Sequence, residues 1–289
     1  YSLIHINHES LFYLSSFLKN NCSVKISGHI RTLCPINLFS KYQLKNYFKS
    51  LNFITFISKN EYLHVKKFNL NIDNHHICYN PVMTDQIISL NKSIYNDDVF
   101  KVAVVGNFSL ERGIDRVFSL ADKLPHHSKI VFIVIGDKIV SEKIPKSYKL
   151  GFKKGDDLSE YTNKIGLKNI IKFVGFQKKP YDITASCNII MRLSRTNSPW
   201  GRDVIEAFAL KKPVIACGLD NTFIKNNKTG ILIESYNEEK IIDNLLKLSK
   251  SPQKVKEMGD NAFRLINKLC SSNNISKQMV EFWEKDYNK

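Results

Sequence analysis

The sequence lacks the features that would mark a membrane-spanning or disulfide-rich protein. No apolar run approaches the roughly 18 to 20 residues that a transmembrane helix needs, and no charged segment followed by an apolar one forms a leader. The cysteines form no Cys-x-x-Cys pair, which argues against zinc and redox motifs and gives little support to a disulfide framework. We expect free and mostly buried thiols in a reducing compartment; the six are Cys22, Cys34, Cys78, Cys187, Cys217 and Cys270.

Familiar catalytic patterns are missing as well. The sequence shows no Ser-His-Asp or Cys-His arrangement and no Walker A motif. His75 and His76 lack the i, i+4 spacing of a helical metal site and have no acidic ligand nearby, so we expect no metal. The chain therefore offers neither an obvious protein nucleophile nor a bound cofactor.

The charge balance is strongly positive. Lys and Arg number 43 against 27 acidic residues, a formal net charge of +16, while 43% of the residues are hydrophobic, as in a globular protein. Three anionic partners compete: nucleic acid, lipid headgroups and a phosphate-bearing substrate. No zinc finger, RRM or basic zipper is present, so a membrane surface together with a phosphate-bearing substrate ranks above nucleic acid. Heavy use of Lys, Asn and Ile is also typical of AT-rich genomes, which needs no binding role.

Short apolar runs alternate with helical segments along the whole chain, a pattern typical of parallel sheets covered by helices. Residues 1–82 predict one such domain, and a polar stretch at 83–99 predicts a linker. Residues 100–270 predict a second domain, and 271–289 a final helix. Predicted strands are 3–6, 24–26, 53–58, 76–79, 101–105, 130–135, 170–174, 189–193 and 214–216; predicted helices are 10–19, 44–48, 61–68, 114–123, 158–165, 181–185, 203–210, 238–248, 253–268 and 275–287.

The segment from Arg192 to Ala216 is the most informative. It reads as a strand end, a Pro-Trp-Gly turn, a helix and a second apolar strand. This order places a helix amino terminus beside the carboxyl end of a strand, where backbone N–H groups and the helix dipole attract phosphate. In an open α/β sheet that edge is also where ligands bind.

This segment resembles the donor-site signature of the retaining family 4 glycosyltransferases. Glu206 stands in the position of the family's second Glu, which accepts hydrogen bonds from the ribose of a nucleotide sugar, and Ala follows it. Trp200 and Gly201 occupy the places of a Phe-Gly pair. Ser198 stands where the family usually has its first Glu, a residue that contacts the transferred sugar.

The resemblance continues outside this segment and implies a fold. The sequences at residues 5–10, 28–31 and 79–82 resemble the later half of the family's first domain, and residues 105–106 with 111–113 resemble the turn that opens its second. Residues 258–262 and the helix ending at Trp283 resemble the family's tail. The resemblance implies a GT-B architecture, with two Rossmann-like domains facing across a cleft and the final helix packing back toward the first domain. The family's first domain is about as large as its second. Here only residues 1–82 precede the predicted linker, so we expect the first domain to be incomplete.

Further donor-site residues follow from the resemblance. Arg112 stands where the family has a Lys or Arg that clamps the diphosphate, which suits a bidentate guanidinium. Gly106 opens that turn, and Asn107 replaces a second, cationic clamp. Gly175 matches the loop that meets the base.

Arg202 is a plausible substitute for the missing clamp. A cation in the first turn of a helix opposes the helix dipole, which favours a nearby anion. Arg195 is a weaker candidate for the same role. Each of these residues could instead be a solvated surface group.

Two residues of the first domain are candidates for the reaction itself. His29 follows a predicted strand and stands where the family often places a His facing the reacting sugar. Arg31 beside it could contact an acceptor phosphate. A single His is more often structural, so this assignment competes with a role in packing.

The sequence and the resemblance together predict a retaining, metal-independent glycosyltransferase. It would move a sugar from a nucleotide-diphosphate sugar to a polysaccharide or lipid-linked oligosaccharide in lipopolysaccharide or capsule synthesis, in the cytoplasm at the inner face of the cytoplasmic membrane. Catalysis would rest on positioning and on stabilising charge at the leaving diphosphate, with His29 and Arg112 as the catalytic residues. Two alternatives stay open: a non-catalytic nucleotide-sugar-binding remnant, and a nucleic-acid-binding protein.

Overall fold

The computed structural model describes residues 1–33, 38–70, 72–83, 98–125, 127–196 and 198–285. The chain divides into two compact units. Unit 1 comprises Tyr1–Pro81 and Leu269–Lys289, and unit 2 comprises Val82–Lys268. Most of the predicted linker, residues 84–97, lies outside the described residues.

Unit 1 is a parallel sheet with the order β1-β2-β3-β4. Each strand is followed by a helix or loop that returns the chain to the same edge of the sheet, as parallel pairing requires. Its elements are β1 Leu3–Ile6, α1 Tyr13–Asn21, β2 Lys25–Ile30, α2 Leu38–Ser50, β3 Phe53–Phe56, α3 Lys59–Lys66, β4 His75–Ile77 and α10 Ser272–Glu284, with a 3-10 turn at Glu9–Leu11.

The core of unit 1 lies between this sheet and the helices that connect its strands. Phe12 and Phe56 are fully buried in it. Gly28 of β2 is needed for this packing, because a Cβ there would lie 2.8 Å from the Phe12 ring. Elsewhere in the unit Phe282 of α10 contacts Phe53 of β3 edge to face, with ring centroids 5.3 Å apart.

Unit 2 is a six-stranded parallel sheet with the order β10-β9-β8-β5-β6-β7. Its strands are β5 Phe100–Val105, β6 Ile130–Ile135, β7 Ile171–Phe173, β8 Ile189–Arg192, β9 Val214–Cys217 and β10 Gly230–Ile233. Its helices are α4 Arg116–Lys123, α5 Leu158–Lys164, α6 Pro180–Ala185, α7 Arg202–Ala209, α8 Glu238–Ser249 and α9 Pro252–Cys270, with a 3-10 turn at Lys146–Tyr148.

The strand order of unit 2 reverses direction at β5. The chain moves from β5 outward to β6 and β7, and then returns to build β8, β9 and β10 on the other side. Such a switch point leaves a crevice at the carboxyl edge of the sheet, where ligands bind in doubly wound folds. The strands beside it are almost wholly apolar; β6 reads Ile-Val-Phe-Ile-Val-Ile, as expected of a strand covered on both faces.

The predicted α/β fold with parallel sheets is confirmed, and the three largest differences in detail are these. Strand β2 runs to Ile30 instead of ending at residue 26. Strand β10 was not predicted at all, although Gly230–Ile233 pairs with β9 in parallel. Helix α2 begins at Leu38, six residues before the predicted start.

The cysteines that the structure describes are free. Cys78, Cys187, Cys217 and Cys270 are buried and Cys22 is exposed, as expected of isolated thiols. Burial raises the pKa of Cys78 to about 11, so this thiol stays protonated at neutral pH. Cys34 lies outside the described residues. Among the helices that can be described, none is long and apolar enough to cross a bilayer.

Candidate functional site

A pocket of about 320 Å³ opens in unit 2 at the carboxyl ends of β5 and β6. It lies beside the point where the strand order reverses, as the fold predicts. Loop residues after these strands and after β7, together with the start of α6, form its walls. The lining residues are Val105, Gly106, Asn107, Phe108, Ser109, Arg112, Ile135, Gly136, Phe176, Gln177 and Pro180.

Two glycines bring the backbone of neighbouring loops into direct contact at this pocket. Gly106 has a φ of +140°, a conformation that other residues rarely adopt. A Cβ on Gly136 would lie 2.1 Å from the carbonyl oxygen of Gly106, so only glycine fits there. The Gly136 N–H donates to the carbonyl oxygen of Gly175 at 3.1 Å. These contacts fix the loops after β5, β6 and β7 against one another.

Asn107 connects the same loops through its side chain. Its Oδ1 accepts a hydrogen bond of 2.8 Å from the backbone N–H of Asp137. The amide oxygen therefore has a structural role, and the residue remains exposed on the pocket wall.

Arg112 is exposed and reaches back over the glycine turn. A Cβ on Gly106 would lie 2.6 Å from a terminal nitrogen of the Arg112 guanidinium, so the missing side chain leaves the space that this group occupies. An exposed guanidinium above a bare backbone turn can bind an anion such as a diphosphate. Gly106, Asn107 and Arg112, three residues predicted from the sequence, thus line one pocket.

The turn after β5 is anchored to the end of β8. Gly113 has a φ of +73°, and a Cβ there would lie 2.1 Å from the Leu193 carbonyl oxygen. The Arg195 N–H donates to the carbonyl oxygen of Glu111 at 2.7 Å. These contacts join the loop that carries Arg112 to the segment that carries the Pro-Trp-Gly turn.

Arg195 is held in an ion pair. Its two terminal nitrogens donate to the Asp115 carboxylate at 2.7 and 2.6 Å, and the guanidinium also lies over the Tyr148 ring. The Asp115 side chain is only 5% exposed. This guanidinium serves to join two loops, a role that sequence reasoning missed because Asp115 and Arg195 are 80 positions apart.

The Pro-Trp-Gly turn is fixed by a second ion pair that the sequence did not reveal. Arg192, at the end of β8, donates to both oxygens of the Asp203 carboxylate at 2.9 and 2.7 Å. Its Nε donates to the carbonyl oxygen of Ser198 at 2.9 Å. The Ser198 hydroxyl donates to the Trp200 carbonyl oxygen at 3.2 Å, so both groups of this serine take part in the turn.

Trp200 is buried, with 8% of its surface exposed. Its indole N–H donates to Asp220 at 3.0 Å and its ring packs edge to face on Phe223. The side chain therefore anchors the turn in the interior of unit 2. Gly201 follows as the N-cap of α7 in an extended conformation.

Arg202 and Glu206 lie on α7 and pair with each other. Nε of Arg202 donates to the Glu206 carboxylate at 2.8 Å. The Arg202 side chain is 83% exposed and that of Glu206 is 20% exposed. Because exposed i, i+4 pairs contribute only about 0.3 to 0.5 kcal/mol, a ligand can compete for either group at little cost.

The predicted donor residues thus fall into two neighbouring groups. Gly106, Asn107 and Arg112 line the pocket, and Gly175 lies at its edge through its contact with Gly136. Ser198, Trp200, Gly201, Arg202 and Glu206 are not among the pocket's lining residues. They follow β8, the strand that pairs directly with β5, at the same carboxyl edge of the sheet.

Arg31 lies at the carboxyl edge of the sheet in unit 1. Its guanidinium donates to the side-chain oxygens of Asn7 at 3.1 Å and Asn80 at 2.7 Å, and its backbone N–H donates to Glu9 at 2.8 Å. These partners follow β1 and β4, so Arg31 ties together loops from three strands. Asn80 was not predicted as a partner.

The structure corrects the sequence prediction for the position of His29. The residue does not follow a strand but lies inside β2, where it pairs with Thr55 of β3. It is 7% exposed, and Nε2 is buried with no hydrogen-bond partner. Burial, together with the smaller effect of the nearby Arg31 charge, lowers the pKa of His29 to about 3. The imidazole is therefore neutral at physiological pH and is not an acid there.

Because His29 is buried and neutral, we expect the free energy of unfolding to depend on pH. The unfolded chain binds this proton below a pKa of 6.5 and the folded chain only near 3, so stability falls as pH is lowered through that window. We expect the melting temperature to drop between pH 7 and 5, and His29→Asn to show a shallower drop. Thermal unfolding across that range measures both slopes, and equal slopes would contradict the assignment.

The described part of the chain holds no group of three or more His, Cys, Asp or Glu that could bind a metal ion. At the pocket, the Arg112 guanidinium and the backbone N–H groups of the loop after β5 are groups that could bind an anion.

The fold and the site define the chain as a GT-B protein. The structure of Anabaena Alr3699/HepE in complex with UDP matches with a TM-score of 0.83 at 18% identity, over 98% of this chain and 79% of that one. Sucrose-phosphate synthase from Thermosynechococcus elongatus matches with 0.81 at 16% identity, over 100% and 74%. A glycosyltransferase from Rickettsia africae ESF-5 matches with 0.78 at 18% identity, over 98% and 76%.

The family assignment comes from the sequence. A family model described as "Glycosyl transferases group 1" matches residues 60–265, which is more than two thirds of the chain. The chain therefore belongs to the group 1 glycosyl transferases. The predicted GT-B architecture is confirmed by these matches. A search of curated proteins found no match.

Proposed function

We propose that this chain is a retaining glycosyltransferase that uses a nucleoside-diphosphate sugar. The observation that carries the proposal is the pocket at the carboxyl ends of β5 and β6, where Arg112 lies over a turn that only glycine can form. The group 1 family and the matched structure with bound UDP support a nucleotide-sugar donor.

In the proposed complex the diphosphate lies against the Gly106 turn and is neutralised by Arg112. Arg202 can contribute a second positive charge once its exposed pair with Glu206 opens. The Glu206 carboxylate is then available to accept hydrogen bonds from the ribose hydroxyls. The loop at Gly175 and Phe176 faces the base; Phe176 is 70% exposed, which leaves its ring open for contact.

The proposed reaction breaks the bond between the anomeric carbon and the diphosphate oxygen. The acceptor hydroxyl oxygen forms the new bond from the same face, and its proton passes to the departing diphosphate. The protein contributes by positioning the two substrates and by stabilising the negative charge that grows on the leaving group. No protein nucleophile and no metal ion take part in this scheme.

The proposed acceptor is a polysaccharide or lipid-linked oligosaccharide of cell-surface glycan synthesis. Arg31, held by Asn7 and Asn80, offers a fixed cation at the edge of the sheet in unit 1 for an acceptor phosphate. The neutral His29 nearby would serve the sugar as a hydrogen-bonding group and not as an acid. The net charge of +16 supports work at an anionic surface, which we place at the cytoplasmic face of the membrane.

Glu206→Ala is expected to weaken donor binding. Loss of a charged acceptor that bonds to ribose should reduce affinity about tenfold to a hundredfold, since hydrogen bonds to charged groups contribute about 1.5 to 3 kcal/mol. Calorimetric titration with UDP-glucose and with free UDP measures the change. Glu239→Ala, an exposed first-turn glutamate of α8, is the matched control and should bind as the wild type does.

NMR spectroscopy of donor turnover tests the reaction class. The wild type is incubated with a nucleoside-diphosphate sugar and an acceptor glycan, with and without EDTA. A product with the anomeric configuration of the donor, formed equally in both samples, is the expected result. An inverted product or a loss of activity with EDTA would contradict the proposed mechanism. Tight donor binding without turnover would instead identify a non-catalytic remnant.

A further inference from the structure

The connection between β6 and α5 is long for a loop within a compact domain. It comprises residues 136–157, between the last residue of β6 and the first residue of α5. Irregular loops of more than roughly 12 to 15 residues are uncommon and usually have a function. This one contains a single turn of 3-10 helix at Lys146–Tyr148 and one antiparallel bridge between Ile139 and Asp157. We call residues 136–157 the β6–α5 loop.

Backbone hydrogen bonds and buried side chains hold this loop against unit 2. At its base the Val140 N–H donates to the Asp156 carbonyl oxygen at 3.0 Å, and the Gly155 N–H donates to the Val140 carbonyl oxygen at 2.9 Å. Val140 is fully buried. The buried Phe152 ring packs edge to face on Phe108, with ring centroids 5.5 Å apart. The β6–α5 loop is therefore a folded extension of unit 2.

The loop is attached to the turn that carries Arg112. The Leu110 N–H donates to the Glu142 carboxylate at 2.6 Å. The Arg195 guanidinium lies over the Tyr148 ring, 4.9 Å from its centroid. A molecule bound to the β6–α5 loop would therefore lie beside the pocket that we propose for the donor.

The charged side chains in the middle of the loop are all positive. Residues 143–155 contain five lysines and no Asp or Glu. All five are exposed; they are Lys143, Lys146, Lys149, Lys153 and Lys154. In the part of the chain that the structure describes, none of their ammonium groups belongs to an ion pair.

The carboxylates at the ends of the loop bind other groups. Asp156 accepts a hydrogen bond of 2.8 Å from the backbone N–H of Lys153. Asp157 pairs with the Lys138 ammonium group at 2.7 Å. Asp137 accepts from the backbone N–H two residues further on, at 3.0 Å. The loop therefore presents a surface of positive charge that its own carboxylates do not neutralise.

The arrangement of the lysines suits a long polyanion better than a small anion. They are spread along an exposed loop, and none of them lines the pocket of unit 2. A single phosphate gains little from exposed ammonium groups, because water and salt screen each pair. A polymer that contacts several lysines at once adds these small contributions together.

We propose that the β6–α5 loop binds the acceptor, and that this acceptor is a glycan with negative charges along its length. The inference rests on the proposed function and narrows its acceptor to a polyanionic polysaccharide. The lysines would contact phosphate or carboxylate groups of the polymer. Because the loop is attached to the turn of Arg112, the bound polymer would lie beside the donor.

The other side chains of the loop favour a glycan over nucleic acid or lipid. Single-stranded nucleic acids stack their bases on open aromatic rings, but the Tyr148 ring is 38% exposed and lies beneath Arg195. Surfaces that enter a bilayer need a group of exposed apolar side chains. Ile139 is exposed, whereas Ile144 and Leu150 pack against the core. A polymer of sugars with anionic groups needs neither feature.

Calorimetric titration with modified dextrans tests the inference, because the same neutral backbone can carry either anionic group. The wild type should bind dextran phosphate or carboxymethyl dextran and should not bind unmodified dextran. The anionic polymer that binds more tightly identifies the charged group of the acceptor. Binding should weaken steeply as the salt concentration rises, as expected when a polyanion releases its counterions.

A triple variant removes three charges of the loop: Lys143→Ala, Lys146→Ala and Lys149→Gly. Lys149 has a φ of +48°, which glycine adopts readily, so the last change removes an ammonium group without straining the backbone. The variant should bind the anionic dextran about tenfold more weakly than the wild type, since several exposed charge contacts are lost together. Its melting temperature should not fall, and its affinity for UDP should be unchanged.

The matched control removes exposed lysines at the opposite edge of the same sheet. Lys168 precedes β7, and Lys225 and Lys228 precede β10, so all of them lie at the amino ends of strands. Replacing these lysines together by Ala changes the net charge by the same amount and should leave dextran binding unchanged. Equal losses in the two triple variants would show that only net charge matters and would overturn the proposal.

Three further outcomes would also overturn it. One is wild-type protein that binds neither anionic dextran. The second is tighter binding to single-stranded DNA, lost in the loop variant, which would assign the loop to nucleic acid. The third is binding to anionic lipid vesicles that the loop variant loses while it keeps its affinity for the dextrans.

Titration with UDP separates this inference from the proposed function. UDP binding without binding of an anionic dextran would reject the role of the loop alone. Binding of an anionic dextran without binding of any nucleotide would reject the donor site, and with it the assignment of the polymer as an acceptor.

Discussion

Gly136→Ala is expected to abolish nucleotide binding by the pocket of unit 2. The new Cβ would lie 2.1 Å from the Gly106 carbonyl oxygen, which is backbone and cannot rotate away. The turn after β5 must then shift, so the backbone that a diphosphate would contact is displaced. Overpacking of this kind also costs about 1 to 3 kcal/mol of stability. Titration with UDP and thermal unfolding measure the two effects.

Gly166→Ala is the control for Gly136→Ala. Gly166 follows α5 with a φ of +77°, but a Cβ there would meet nothing within 4 Å. The substitution should lower stability through backbone strain of about 1 kcal/mol and leave UDP binding intact. If Gly136→Ala bound UDP as well as Gly166→Ala does, the pocket would not be the donor site.

Arg112→Ala should reduce the rate of transfer about 100-fold to 1000-fold, the cost of removing one group that stabilises developing charge. The guanidinium lies over the Gly106 turn and is exposed, so its loss should hardly change the melting temperature. Arg112→Lys should recover part of the rate, because it keeps the charge but loses the bidentate geometry. Steady-state kinetics with a nucleoside-diphosphate sugar separates kcat from KM.

Arg264→Ala provides the matched control, since Arg264 is a surface residue of α9 that donates to Asn261. Its kinetics should equal those of the wild type. An Arg112→Ala enzyme with an unchanged kcat would remove Arg112 from the catalytic assignment. A change in KM alone would restrict its role to binding the donor.

Much of the fold was predictable because the apolar strands are short and regularly spaced. The run from Ile130 to Ile135 has the length and composition of a buried parallel strand, and its bounds were predicted without error. The end of β2 was not predicted, because Ser-Gly-His resembles a strand terminator in isolation. It stays in the sheet because β3 pairs with it and because Gly28 makes room for Phe12, and neither contact is visible locally.

Strand β10 was also missed because its formation depends on a contact with a distant segment. Gly230–Ile233 is only four residues long and follows a polar loop, so its sequence gives a weak signal. Its position depends on close pairing with β9: a Cβ on Gly230 would lie 2.2 Å from the Val214 carbonyl oxygen. Whether such a segment forms a strand depends more on its pairing with a distant segment than on its local sequence preference.

At the candidate site, sequence reasoning named three residues that line the pocket but missed the ion pairs that join the surrounding loops. Gly106, Asn107 and Arg112 line the pocket, and their roles in donor binding stay a prediction. The ion pairs of Arg195 with Asp115 and of Arg192 with Asp203 were missed. Each joins two loops, and a single sequence carries no sign of which carboxylate a distant arginine will meet.

A thermal-shift panel of nucleoside diphosphates and nucleoside-diphosphate sugars tests the central claim most directly. A ligand that binds only the folded state stabilises it by about 2.7 kcal/mol at a hundredfold excess over its Kd. We expect one nucleotide family to raise the melting temperature of the wild type, and the shift to be lost in Gly136→Ala and reduced in Glu206→Ala. No shift with any nucleotide, or an equal shift in Gly136→Ala, would contradict the account.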